Sequence, residues 1–204
     1  VNFLTRSIVQ KEIEHALKKE TGSKFKVKIN SFWGTNIAQG EFGNSTALSK
    51  NFSHDKISAQ KLYLETICPY NKISYKNDKL NFDSNIVLKF SAEMNEKNLS
   101  EMLKQQVQIL DDKIVFKVKV SALGIKTTFN VSAGLEVVDN KIQLCNIKLN
   151  GTSLKASKYM YIFNNLTNFK VDLDKNTKAY IKIDNVKINN SIVNITGYTL
   201  IPHS

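Results

Sequence analysis

Arginine is nearly missing from this chain: of 29 basic residues, only Arg6 carries a guanidinium. Lysine is a point charge without the planar fork that reads guanine or clamps a phosphate, so specific nucleic-acid readout is disfavoured. Proline and glycine are scarce too, 2 and 8 in 204 residues, and they form no linker-like run. A single elongated domain over 1–204 is therefore expected. The two cysteines, Cys68 and Cys145, fit no metal-binding spacing. They read as one disulfide in an oxidising compartment or, the commoner case, as two buried thiols. No apolar run approaches the ~20 residues of a membrane-spanning helix.

Catalytic groups are equally sparse. His15, His54 and His203 stand far apart, none in a recognised catalytic context. Glu12 and His15 have the spacing of one half of a di-metal helical pair, but no second Glu-x-x-His accompanies them. Asp111-Asp112 reads as a turn, and Asp172 and Asp174 read as solvated charge along an extended segment. There is no phosphate-cradling glycine loop and no nucleophile elbow. The expectation is a non-enzyme with no catalytic residues, metal ligands or cofactor.

What the chain does have is long alternating strands. Along residues 113–120, Ile114, Phe116, Val118 and Val120 share one face, while Lys113, Val115, Lys117 and Lys119 share the other. Long strands are expected over 113–122, 126–138, 141–150, 178–189 and 191–201, and together they predict an antiparallel sheet with one solvated face. Three of these strands change phase midway. Ile142 and Leu144 give way to Ile147 and Leu149, Ile181 and Ile183 to Val186 and Ile188, and Val193 and Ile195 to Tyr198 and Leu200. Each change predicts a β-bulge, and bulged long strands coil.

Residues 1–20 precede the sheet as a helix. Leu4, Ile8, Val9, Ile13, Ala16 and Leu17 read as its apolar stripe, with Arg6, Lys11, Glu14 and Lys18 off it. Gly22 sits at the C-cap position. Within the sheet region 24–201, short helices are expected at 95–108, on Leu99, Met102, Leu103 and Val107, and at 157–166. The expected fold is α+β: a long N-terminal helix wrapped by a coiled, bulged antiparallel sheet, with one or two short helices.

One helix is little cover for so much one-sided sheet, and that imbalance points to an apolar ligand. Leu4, Ile8, Phe116, Val118, Phe129 and Val131 are the candidates for the ligand's wall. Consecutive aromatics in a connection are costly unless covered. This singles out Phe32 and Trp33 as pocket rim, and Tyr159, Met160 and Phe163 as mouth. Lys155 and Lys158 are candidates for a headgroup or an anionic membrane surface. The net charge of +11 supports such attraction, which needs only positive charge.

Four stretches add a resemblance. The first is Gly40-Glu41-Phe42 followed by Ile57-Ser58-Ala59-Gln60-Lys61-Leu62-Tyr63-Leu64 and the turn Cys68-Pro69-Tyr70. A strand and short helix from Ile86 to Leu103 come next, then Phe129-Asn130-Val131 through Ile142, Ile147 and Gly151. Val186-Lys187-Ile188 to Ile195-Thr196-Gly197-Tyr198 close the series. In this order they resemble the LmeA-like phospholipid-binding family, formerly a bacterial domain of unknown function, over most of the chain after residue 30. The resemblance implies a tubular lipid-binding architecture, an extracytoplasmic location and a role in envelope lipid metabolism. It supplies no catalytic residues. The high Lys and Asn content departs from the family.

The expected function is non-enzymatic binding, with transfer as an extension, of a phospholipid or other acyl-chain lipid in the bacterial cell envelope. An upstream signal or anchor is expected outside these residues. Two alternatives stand beside it. One is a periplasmic structural or adaptor domain with a ligand-free interior and an edge strand for a partner. The other is a lysine-driven polyanion binder whose affinity falls steeply with salt.

Overall fold

The computed structural model describes residues 2–30, 41–42, 44–55, 57–67, 71–76, 79–82, 86–103, 105–122, 125–150, 152–153, 170–171 and 180–201. Helix α1 (Asn2–Thr21) opens the chain, followed by strands β1 (Phe25–Ile29), β2 (Glu41–Phe42), β3 (Ser45–His54), β4 (Ile57–Thr66), β5 (Asn71–Lys76), β6 (Lys79–Phe82) and β7 (Ile86–Met94). Helix α2 (Glu96–Leu103) comes next. Then follow β8 (Val107–Leu110), β9 (Lys113–Ala122), β10 (Ile125–Val138), β11 (Lys141–Leu149), β12 (Thr152–Ser153), β13 (Lys170–Val171), β14 (Tyr180–Asn189) and β15 (Ile192–Ile201). The strands form one open sheet in the order β1-β3-β4-β7-β15-β14 and a second in the order β12-β11-β10-β9-β8, with β13 also on β11. A small β2-β5-β6 sheet stands apart. The fold is α+β and antiparallel, as expected. The expected helix at 157–166 lies outside the described residues.

Gly22 ends α1 as its sequence position predicts. At φ 74° it donates its N–H to the Lys18 carbonyl at 2.8 Å, the left-handed cap that glycine adopts without strain. The helix packs through Val9, Ile13 and Leu17 onto Val27 and Ile29, with Ala47 alongside. Leu4 and Ile8, expected on the same stripe, are instead 67% and 60% exposed. At roughly 100° per residue, Leu4 lies half a turn around the helix from Ile13, so one stripe cannot hold both.

Glu14, expected off the stripe, turns toward the sheet. Its Oε1 accepts the Val27 N–H at 2.8 Å, and Gln10 Oε1 accepts the Ile29 N–H at 3.3 Å. These amides lie on the free edge of β1, the outermost strand. The spacing explains the fit. Four residues of helix advance about 6 Å, and two residues of strand advance about 6.7 Å, so acceptors at i and i+4 meet alternate edge amides.

Helix α2 repeats this device on β8. Glu96 Oε1 accepts the Ile109 N–H at 2.8 Å, and Ser100 Oγ accepts the Val107 N–H at 2.9 Å. Its N-terminus carries a reciprocal cap. Asn98 N–H donates to Asn95 Oδ1 at 3.0 Å, and Asn95 N–H donates to Asn98 Oδ1 at 3.2 Å. The helix stops at Leu103, short of the expected 108. Val107 and Ile109 pair instead with Phe116 and Ile114, because the ladder with β9 overrides the local helical spacing. Asp111-Asp112 is thus the turn of a β-hairpin, with Asp111 at φ 55°.

Two of the three expected bulges are present. The β10–β11 register shifts between Ser132 and Gly134, and the β14–β15 register shifts between Ile183 and Asn185. The third is absent: β15 pairs with β7 in unbroken register from Val193 to Ile201. Gly197 occupies the inward position there, and a residue without a side chain hides the alternation in a hydropathy reading. Asn140, at the β10–β11 turn, ties the two sheets together. Its Oδ1 accepts the Ile183 N–H at 2.7 Å and its Nδ2 donates to the Ile181 carbonyl at 2.6 Å.

The expected shortage of cover is met by the second sheet. Val27, Ala47, Leu64, Phe90, Gly197 and Ile183 are successive cross-strand partners and so share one face. Helix α1 covers the β1 end of that face. Ile114, Phe116, Val131, Ala133, Ile142 and Leu144 of the second sheet pack with Phe90, Ala92, Ile183, Val193 and Ile195, and Leu99 of α2 joins them.

Gly197→Ala is expected to lower stability by about 3 kcal/mol, as overpacking does. A Cβ there would press on the Lys182 carbonyl, Ile183 Cα and the Phe90 ring. The urea midpoint measures it, and an unchanged midpoint would contradict this packing. Gln10→Leu combined with Glu14→Leu strands two edge amides, at about 1–3 kcal/mol each. It should also raise light scattering as β1 edges pair between molecules.

Candidate functional site

The apolar face carries two separate clusters. One joins α1 to β1 and takes in Ala47, and the other is the two-sheet core, against which Leu62 and Leu64 pack. All three are half-buried, although they lie in register between buried Val27 and Phe90 or between buried Phe25 and Ala92. The boundary between β3 and β4 is thus a seam of incompletely covered apolar side chains. Ser49, the partner of both Phe25 and Leu62, is fully buried, and its hydroxyl has no hydrogen-bond partner among the described residues.

Four of the expected wall residues come together. Val131 pairs with Phe116 and Phe129 pairs with Val118 on adjacent strands β10 and β9. Phe116 and Val131 are 4% and 0% exposed, so they are interior packing, while Val118 and Phe129 are half-buried against the same core. Leu4 and Ile8 do not join them, being exposed on the outward side of α1. Phe32, Trp33, Lys155, Lys158, Tyr159, Met160 and Phe163 lie outside the described residues. Leu62 and Leu64 were readable as one strand face, but their place at a seam depends on what packs above them, which no local pattern carries.

Inside the core, a gap of about 10 Å³ remains between α2 and the two sheets, lined by Leu99, Met102, Ile114, Leu135, Val193 and Ile195 among others. That is scarcely room for one water and none for an acyl chain. A larger groove, about 430 Å³, opens where β8 begins, lined by Gln105, Gln106, Gln108, Val115, Phe116, Lys117 and Asn130. Five of its seven lining residues are polar, which suits hydrogen bonding to a backbone or a polar group. Gln105 Nε2 is buried there with no hydrogen-bond partner among the described residues.

No cluster of three metal-binding side chains occurs among the described residues. Glu12 and His15 are both exposed. No described helix is long and apolar enough to cross a membrane. Cys145 is a free, half-buried thiol, and Cys68 lies outside the described residues. Burial first, and then the nearby Glu136 carboxylate, push the Cys145 thiol above its ordinary range. The thiolate is the reactive form, so this cysteine is poorly suited to be a nucleophile.

A folded pKa above the unfolded one means that stability is lost as pH rises through the thiol range. In a Cys68→Ser background, Cys145→Ala should therefore flatten the decline in urea midpoint between neutral and alkaline pH. Cys145 should also react with Ellman's reagent more slowly than free cysteine at neutral pH, and equal rates would contradict its burial.

Comparison with known proteins adds no relative: no family model, no curated protein and no solved structure matches this chain.

Proposed function

We propose that the chain binds a phospholipid or other acyl-chain lipid in the bacterial envelope, without catalysing a reaction. The seam between the two apolar clusters carries this reading. A hydrocarbon chain laid along Ala47, Leu62 and Leu64 would join surfaces that the protein leaves separately and partly exposed. Each methylene so removed from water contributes about 0.8 kcal/mol. A long helix on the apolar face of an antiparallel sheet with bulged strands also fits the tubular lipid-binding architecture, and the resemblance to the LmeA-like family supports the same ligand class. Phe32, Trp33, Tyr159, Met160 and Phe163 keep their proposed places at rim and mouth, with Lys155 and Lys158 near the headgroup. Leu4 and Ile8 take a different role from the wall. Exposed on α1 together with Lys11, Lys18 and Lys19, they suit contact with an anionic membrane surface.

A second reading, a structural or adaptor domain with a dry interior, draws on the tightly filled two-sheet core. Leu62→Gln with Leu64→Gln distinguishes the two, because both side chains are half-buried and their loss should leave the fold intact. Lipid identified by native mass spectrometry and organic extraction should be present in the parent protein and fall at least about tenfold in the variant, a 1.4 kcal/mol loss. Equal lipid content in a folded variant would overturn the seam. A parent chain that takes up no phospholipid from liposomes would leave the adaptor reading standing.

A further inference from the structure

The fold meets several of its strand edges with side chains, and among the described residues the outer side of one strand is left without a partner strand over half its length. Gln10 and Glu14 meet β1, Glu96 and Ser100 meet β8, and Asn140 meets β14. Strand β9 runs from Lys113 to Ala122, but β8 pairs with it only as far as Phe116. Among the described residues, no strand pairs with 117–122 on that side. Leu110 and Lys113 flank the two-residue turn, and in such a hairpin the flanking residues form a hydrogen-bonded pair. Every second residue of β9 from Lys113 therefore directs its peptide groups toward β8. Beyond the end of β8 these are Lys117, Lys119 and Ser121.

The polar groove lies at this place. Gln105, Gln106, Gln108 and Lys117 border it, and the Gln105 amide nitrogen is buried without a hydrogen-bond partner among the described residues. We propose that this edge receives an extended acidic segment of a partner protein by strand addition. Backbone pairing would satisfy the edge peptide groups of Lys117, Lys119 and Ser121. Register sets the sequence of the guest. Lys117 and Lys119 are exposed on the outer face, so carboxylates two residues apart stand opposite them. The residue between faces the side of Val118, which packs on the core, and is apolar. A second copy of this chain fits poorly, because it would set lysines opposite lysines. The inference stands apart from lipid binding and does not depend on it.

A fluorescent peptide alternating Asp and Val, titrated with the full chain and followed by anisotropy, tests this. The control has the same composition with its Asp and Val residues grouped in two blocks. Saturable binding of the alternating peptide is expected, at least about tenfold tighter than the control. Lys117→Glu with Lys119→Glu should abolish it and confer binding of a Lys/Val peptide instead. Lys119→Pro removes one edge donor without touching the β10 ladder and should weaken binding as well. If that variant does not fold, the charge reversal and the block control decide. Equal binding of both peptides, or binding unaffected by charge reversal, would overturn the proposal. Lipid content should be unchanged in every folded variant, so failure here is separable from failure of the lipid reading.

Discussion

A strand edge buried beside a helix must find partners for every second amide, and that requirement organises this protein. Gln10 with Glu14, and Glu96 with Ser100, solve it in the same way: acceptors one helical turn apart meet amides two residues apart on the outermost strand. The agreement between helical rise and strand rise makes this possible only when the helix runs along the strand. Bonds to a carboxylate are the stronger kind, so Glu14 and Glu96 act as anchors. They settle where each helix lies, and hence which part of the sheet each covers.

From that placement the rest of the architecture follows. With α1 held against β1, Val9, Ile13 and Leu17 cover one end of the large sheet's apolar face. With α2 held against β8, Leu99 enters the core where the two sheets meet. Asn140 fastens the second sheet to β14 at the far side. What lies between the two covered zones is the half-buried row of Ala47, Leu62 and Leu64. The lipid reading takes that row as a place for a hydrocarbon chain. It ties function to an energetic property, apolar surface left partly in water, and not to any reactive group.

Local pattern carried a good deal of this. Strand β9 occupies 113–122 as the alternation predicts, the bulges on the β10–β11 and β14–β15 ladders fall where the phase changes, and Gly22 caps α1. What it could not carry is what lies opposite. Leu4 and Ile8 are apolar, yet turn outward because the edge of β1 recruits Glu14 to the packed side of α1. Val107 has helical spacing from Leu99 and Leu103 but joins a ladder with Phe116. Gly197 holds an inward position with no side chain to announce it, and the Phe90 ring packs there. The greatest omission was the second sheet as cover, since pairing order between distant strands leaves no local trace. Phe116 and Val131 were recognisable as inward-facing for the same reason that they could not be told from plain core. The seam at Leu62 and Leu64 needed the register of neighbouring strands to be seen.

Residue-resolved amide hydrogen exchange tests the edge principle most directly. Val27 and Ile29 on β1, and Val107 and Ile109 on β8, should exchange as slowly as amides inside the ladders, because helix side chains hold them. Lys117, Lys119 and Ser121 should exchange fast on the unmatched edge of β9. Rapid exchange at the β1 and β8 amides, at the rate of those on the β9 edge, would contradict the account.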